Sequence, residues 1–181
     1  YRTVPGVQYG MGLSTSWKNF EFNILFQGSG KCDFFIGGNG PHAFRNGQTG
    51  NILQTMVDDN QWIPSEISGD VSTENPNANW PRLTWGNNDN NNQKSTFWLR
   101  DGRYIRLKNI ELRYNVPTTF TRKFFVSNMQ IGFIGENLHT WSPFKLWDPE
   151  NATTDEKNSG VRSGNAYPIN RTYSCYIKLS F

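Results

Sequence analysis

The stretch GLSTSWKNFEFNILF (Gly12–Phe26) constrains most tightly what this chain can fold into. Read as a hairpin turning at Lys18-Asn19, it places Val7, Tyr9, Met11, Leu13, Thr15 and Trp17 on one face of a first strand. Phe20, Phe22, Ile24 and Phe26 fall on the same face of the second strand. Side chains alternate along a strand, and the residues flanking a two-residue turn share a face. The reverse face reads Gln8, Gly10, Gly12, Ser14, Ser16, Glu21, Asn23, Leu25 and Gln27, small or polar apart from Leu25. An apolar surface running over two whole strands has to meet something other than water.

Three later segments repeat the alternation. Ile110, Leu112, Tyr114 and Val116 share one parity against Asn109, Glu111, Arg113 and Asn115. Met129, Ile131, Phe133 and Gly135 stand against Gln130, Gly132, Ile134 and Glu136. Tyr173, Cys175, Ile177, Leu179 and Phe181 stand against Ser174, Tyr176, Lys178 and Ser180. Strands are expected over about 7–17, 20–28, 103–116, 128–139 and 171–181. In the third, Arg106 and Lys108 fall on the apolar parity, so either a bulge intervenes or the strand leaves the apolar zone there.

The connections alternate in length. Two residues join the first pair of strands and about ten join the third to the fourth, whereas loops of about 29–97 and 140–170 fill the other gaps. Short turns at one end and long loops at the other are the habit of outer-membrane β-barrels, whose strands alternate apolar outside and polar inside. The expected fold is therefore all-β, a transmembrane antiparallel barrel with long external loops. The expected lipid-facing residues are Leu13, Trp17, Phe20, Phe22, Ile24, Phe26, Ile110, Leu112, Tyr114, Ile131, Phe133, Ile177 and Leu179. Trp17, Phe20 and Tyr114 would form an aromatic girdle at the short-turn end. The rival reading is a secreted β-sandwich carbohydrate-binding module, in which the same parity forms an inter-sheet core.

Composition fits either reading. Aromatic residues make up 15% of the 181, with 7 Trp and 13 Phe, while charged residues make up only 18%. A net charge of +3 without any block of Lys and Arg gives no ground for nucleic-acid binding. Cys32 and Cys175 form no disulfide framework or metal motif. His42 and His139 are isolated, and no nucleophile elbow, phosphate loop or HExxH is present, so neither catalysis nor a cofactor is expected.

Five strands cannot close a membrane barrel, and an open sheet in lipid would leave two edges of unpaired N–H and C=O groups. The chain is expected to be the C-terminal part of a larger barrel, in keeping with its start on YRTVPGVQYG without an initiator Met.

FWLRDGRYIRLKNIELRYNVP (Phe97–Pro117) resembles a stretch near the C-terminus of SusC/RagA-like TonB-dependent outer-membrane transporters. YGMGLSTSWKNFEFNILFQGSG, TENPNANWPRL, MQIGFIGENLHTW, LWDPE and AYPINRTYSCYIKLSF resemble the same family in the same order. The terminal strand departs from the family in carrying Tyr176 where Gly is usual, five residues before the final aromatic; Phe181 itself fits the barrel-assembly C-terminus. The resemblance implies a 22-stranded plugged barrel in the bacterial outer membrane. It implies import of an oligosaccharide or a peptide with a SusD-like surface lipoprotein as lid. Energy would come from the TonB complex, through N-terminal segments preceding these residues.

Among the loop residues, Trp80, Trp85 and Trp141 are the candidates for ligand or lid contact, since flat aromatic faces stack on sugar rings. Asn51–Trp62 is expected to form a short helix with Ile52, Leu53, Met56 and Val57 on one side. Arg100, Arg103, Arg106 and Lys108 lie just above the apolar band, as headgroup ligands or as a rim.

Overall fold

The computed structural model describes residues 2–38, 40–44, 51–58, 61–86, 88–150 and 160–181. In chain order the strands are β1 (Val7–Trp17), β2 (Phe20–Gly30), β3 (Asp33–Ile36), β4 (Gln61–Trp62) and β5 (Trp80–Pro81). They continue with β6 (Leu99–Asp101), β7 (Tyr104–Val116), β8 (Asn128–Trp141), β9 (Val161–Arg162) and β10 (Thr172–Ser180). Three short helices, α1 (Gln54–Asp58), α2 (Ser65–Ser68) and α3 (Thr118–Thr121), lie in the connections. The chain divides into two compact units. One comprises Tyr1–Asp33, Asp101–Asn151 and Tyr167–Phe181; the other comprises Phe34–Arg100 and Ala152–Ala166.

The first unit is one antiparallel sheet in the order β1-β2-β7-β8-β10. Its registers align the apolar parities of all five strands into continuous rungs. Trp17, Phe20, Tyr114, Ile131 and Ile177 are successive cross-strand partners, and so are Leu13, Ile24, Ile110, Gly135 and Tyr173. Phe22 lies between Thr15 and Leu112, and Leu112 faces Phe133. Leu179 pairs with Met129, which pairs with Val116. This face is open: Leu13 is 59% exposed and Ile177 63%. A sandwich core would bury these side chains.

At the tight-turn end, Lys18 adopts a left-handed φ of 53° between Trp17 and Phe20, and its ammonium sits 4.6 Å from the Trp17 ring. The Phe20 and Tyr114 rings meet at 4.7 Å. No helix among the described residues is long and apolar enough to cross a membrane, which leaves strand-crossing untouched.

In the second unit, β3 lies between β6 and β9, and β4 pairs with β5 in parallel. Phe34, Phe35, Ile36, Met56, Trp80 and Trp98 are its buried apolar residues. Of the helix expected over Asn51–Trp62, the described residues show α1, and 59–60 lie outside the described residues. α1 starts at Gln54, so Ile52 and Leu53 precede it; Met56 alone is buried, while Val57 stays exposed.

Candidate functional site

The polar face of the five-stranded sheet is a connected wall. Arg113 on β7 reaches Glu21 on β2 through Nη1 at 3.0 Å and donates from Nη2 to Glu111 at 3.1 Å. Asn115 donates to Glu21 at 2.8 Å, Gln130 donates to Asn115 at 2.8 Å, and Asn23 donates to Glu111 at 3.2 Å. The Tyr176 hydroxyl, on β10, lies 3.5 Å from both Glu111 and Gln130. Side chains from four strands are thus tied edge to edge. Such a charged, half-wetted surface suits the interior of a barrel and would be costly against lipid.

Above this wall, Lys108 is the extra residue of a bulge. Leu25 pairs with Asn109 while the next residue, Phe26, pairs with Leu107. On the other side, β8 absorbs the shift with Asn137, at a φ of 53°, and Leu138 between Glu136 and His139. The inserted residue reverses the phase of β7. Leu107 and Ile105 continue the apolar face, opposite His139 and Trp141, and Arg106 turns to the polar side opposite Thr140 and Gln27.

Arg106 is 1% exposed. Its Nη2 contacts Asp148 at 2.5 Å (Oδ1) and 2.7 Å (Oδ2), and its Nη1 lies 3.4 Å from Glu150. A buried guanidinium without partners would be strongly unfavourable, so the pair holds the LWDPE segment onto β7. Of the two expectations for Arg106, headgroup ligand or rim residue, the first is corrected: burial keeps it from any headgroup. Arg103 stays exposed and pairs locally with Asp101 at 2.9 Å.

Beside this clamp is a polar cavity of about 260 Å³, lined by Arg106, Asn137, Lys145, Trp147, Asp148 and Arg171 among others. Arg106 Nε, Trp147 Nε1 and Asn137 Oδ1 are buried there without a hydrogen-bond partner. Three cationic side chains, a carboxylate, an indole and an amide give the cavity a polar, hydrogen-bonding lining.

The three aromatic candidates part company. Trp80 is 4% exposed and packs 6.1 Å from Trp98, whose indole N–H donates to the Asn91 carbonyl at 2.6 Å. It belongs to the core of the second unit, which corrects the expectation of ligand contact: its ring has no free face. Trp85 is 69% exposed beside Phe44 at 5.2 Å and keeps a face for stacking. Trp141 stands on the apolar face of β8, 6.4 Å from Phe26 and 4.4 Å from His139. The Arg106–Asp148 clamp had no signal in the sequence beyond the oddity of an Arg on an apolar parity. Among the described residues, no group of three or more His, Cys, Asp or Glu comes together to hold a metal ion.

Known proteins match this arrangement. The RagAB peptide importer in its open-open state superimposes with a TM-score of 0.66 at 20% identity, covering 99% of this chain and 17% of that one. A structure of the RagAB peptide transporter gives 0.67 at 22% identity, covering 99% and 18%. The chain shares the fold of the matched part of these importer structures. TonB-dependent receptor P26 of Formosa agariphila is 27% identical to the chain over 182 residues, 98% of this chain and 17% of the receptor. TonB-dependent receptor P3 of the same organism is 27% identical over 186 residues, 98% and 16%. The chain therefore spans about a sixth of the length of the curated relatives it matches. No protein-family model matches it. In this fold the bulge at Lys108 divides the apolar-sided wall from the end of the sheet where Arg106 and Asp148 secure the LWDPE segment.

Proposed function

We propose that this chain is a five-stranded part of the barrel of an outer-membrane importer. It would take up a nutrient, an oligosaccharide or a peptide, by TonB-dependent transport with a SusD-like lipoprotein as its lid. The observation that carries this reading is the pairing of two opposite faces on one sheet. Apolar rungs are left open to the outside, and a hydrogen-bonded polar wall lies behind them. The open rungs, including Leu13, Trp17, Phe20, Leu112, Ile131, Phe133, Ile177 and Leu179, then face lipid. Trp141 with Phe26 forms an aromatic belt at the level of the bulge, while Trp85 is the candidate for contact with ligand or lid. The likeness to proteins named as TonB-dependent receptors and to the RagAB importer supports the same reading.

The test is the denatured mass and extractability of the polypeptide carrying this sequence in its native membrane fraction. A mass several times 20.8 kDa, release only by detergent, and a co-purifying lipoprotein are expected. A soluble 20.8 kDa protein would overturn the reading. Uptake of labelled oligosaccharides and of labelled peptides by cells with and without the gene then separates the two substrate classes.

A further inference from the structure

The connection between β7 and β8 carries a cluster of exposed aromatic rings. Residues 117–127 leave the sheet at Val116 and return at Asn128, both at its tight-turn end. Their path is α3, a 3-10 turn (Arg122–Phe124) and Phe125. Thr121 and Val126 are buried and root the segment, and Ser127 donates from both its N–H and its hydroxyl to the Ser180 carbonyl at the end of β10. Three phenylalanines of the segment are exposed. Phe120 and Phe124, four residues apart, meet at 5.5 Å with their rings tilted and are mostly exposed, and Phe125 is 92% exposed.

Phe125 bears two penalties at once. It stands in the left-handed region, at a φ of 59°, in the position following a helical turn where Gly is favoured. It also holds a full aromatic ring in the open. A residue that is poor for the backbone and holds its ring in the open calls for a partner beyond the described residues. Between the rings, Arg122 and Lys123 are exposed, and neither forms an ion pair among the described residues.

We infer that this turn is a membrane-interface anchor: Phe120, Phe124 and Phe125 enter the headgroup–acyl boundary of the leaflet at the tight-turn end, and Arg122 and Lys123 bind phospholipid phosphates. Two observations select lipid as the occupant. The turn springs from the lowest rung of the apolar face, where Val116, Met129 and Leu179 are partners, so it lies at the edge of that band. Its composition, aromatic rings beside two unpaired cations, is that of an interfacial segment on an anionic surface. The inference rests on the barrel reading.

The test uses nitroxide labels on the full-length protein, its other cysteines changed to Ser, in vesicles of phosphatidylethanolamine and phosphatidylglycerol. One label sits at Phe125→Cys, a second at native Cys175 on the apolar face of β10, and a third at Ser68→Cys as an aqueous reference. Collision with oxygen against a water-soluble nickel chelate reports depth. The ratio at 125 is expected to lie between those at 175 and 68, and to shift toward the aqueous value in R122Q/K123Q. A value at 125 equal to that at 68, with 175 in lipid, overturns the anchor and leaves the barrel standing. Exclusion of both oxygen and nickel at 125 means protein covers the turn, and also overturns it. A label at 175 reading as aqueous overturns the barrel itself. If F125C fails to assemble, Phe124→Cys gives the same readout.

Discussion

The ring of Tyr176 on β10 fills the space where a side chain on its cross-strand partner, Gly132 of β8, would stand. Strand β10 tolerates a tyrosine at that position because the neighbouring strand has no side chain there. G132A is expected to destabilise the folded barrel by about 1–3 kcal/mol, the usual cost of overpacking. In a Y176A background the same change should be close to neutral, because the obstruction is gone. Urea unfolding of the four variants in vesicles measures the coupling; simple additivity would mean the ring moves aside freely.

Asp148 is the main partner of a guanidinium that has no access to water. D148A should cost about 3 kcal/mol, the low end for breaking a buried pair. Glu150, 3.4 Å away, retains part of the interaction. The melting temperature of the folded band in heat-modifiability gels checks this. D148A/R106M should recover much of the loss, since no charge is then left buried.

Leu13 lies in a central rung of the apolar face, between Tyr9 toward the far end of β1 and Trp17 toward the turn. L13R should destabilise folding into vesicles by about 2–4 kcal/mol, the cost of a cation near the bilayer midplane. Ser14, one residue on, points to the polar side and should accept Arg at little cost. Equal effects at the two positions would contradict the assignment of faces.

Lys108 sets the phase of β7 above the wall. Deleting it should carry Arg106 onto the apolar face and bring Leu107 inward, so the deletion variant is expected to lose the heat-modifiable folded band entirely. K108A keeps the residue count and should retain the band.

Near α2, Glu74 accepts a hydrogen bond from the Ser65 N–H at 2.6 Å, and Asp70 accepts one from the Ser72 N–H at 2.8 Å. These bonds hold both carboxyls below the usual carboxylate range. A lowered folded pKa contributes stability that is fully present above the unfolded pKa and is lost as pH falls through the folded one. Amide-exchange protection at Ser65 and Ser72 should therefore be constant near neutrality and fall in acid. E74Q should remove the pH dependence at Ser65 alone.

The wall was legible because alternation is a local property: Leu13, Ile24, Ile110 and Ile177 declare their face through their immediate neighbours. The phase change at Lys108 was visible only as an unresolved choice, since a bulge is defined by the partner strand and not by the bulged one. Arg106 finds Asp148 42 residues later, across a turn that carries no periodic pattern. Trp80 was misread for a similar reason. It sits among polar and proline residues that look like loop, and only the docking of Trp98 reveals it as core. Five strands written in period two needed no partner to be read, whereas every non-local side-chain contact did.

β1 and β2 are joined by a two-residue turn and β7 and β8 by a short one, yet the pairing of β2 with β7 must close the whole segment 31–103. Closing a long loop costs entropy that a tight hairpin does not incur, and such pairings are slow to form. Two hairpins are thus expected to exist as separate pieces before they meet, with the second unit folding in the interval between them. The seam between Phe22 and Leu112 then becomes the clock of assembly. Substitutions along it should delay insertion more than equally destabilising ones inside either hairpin.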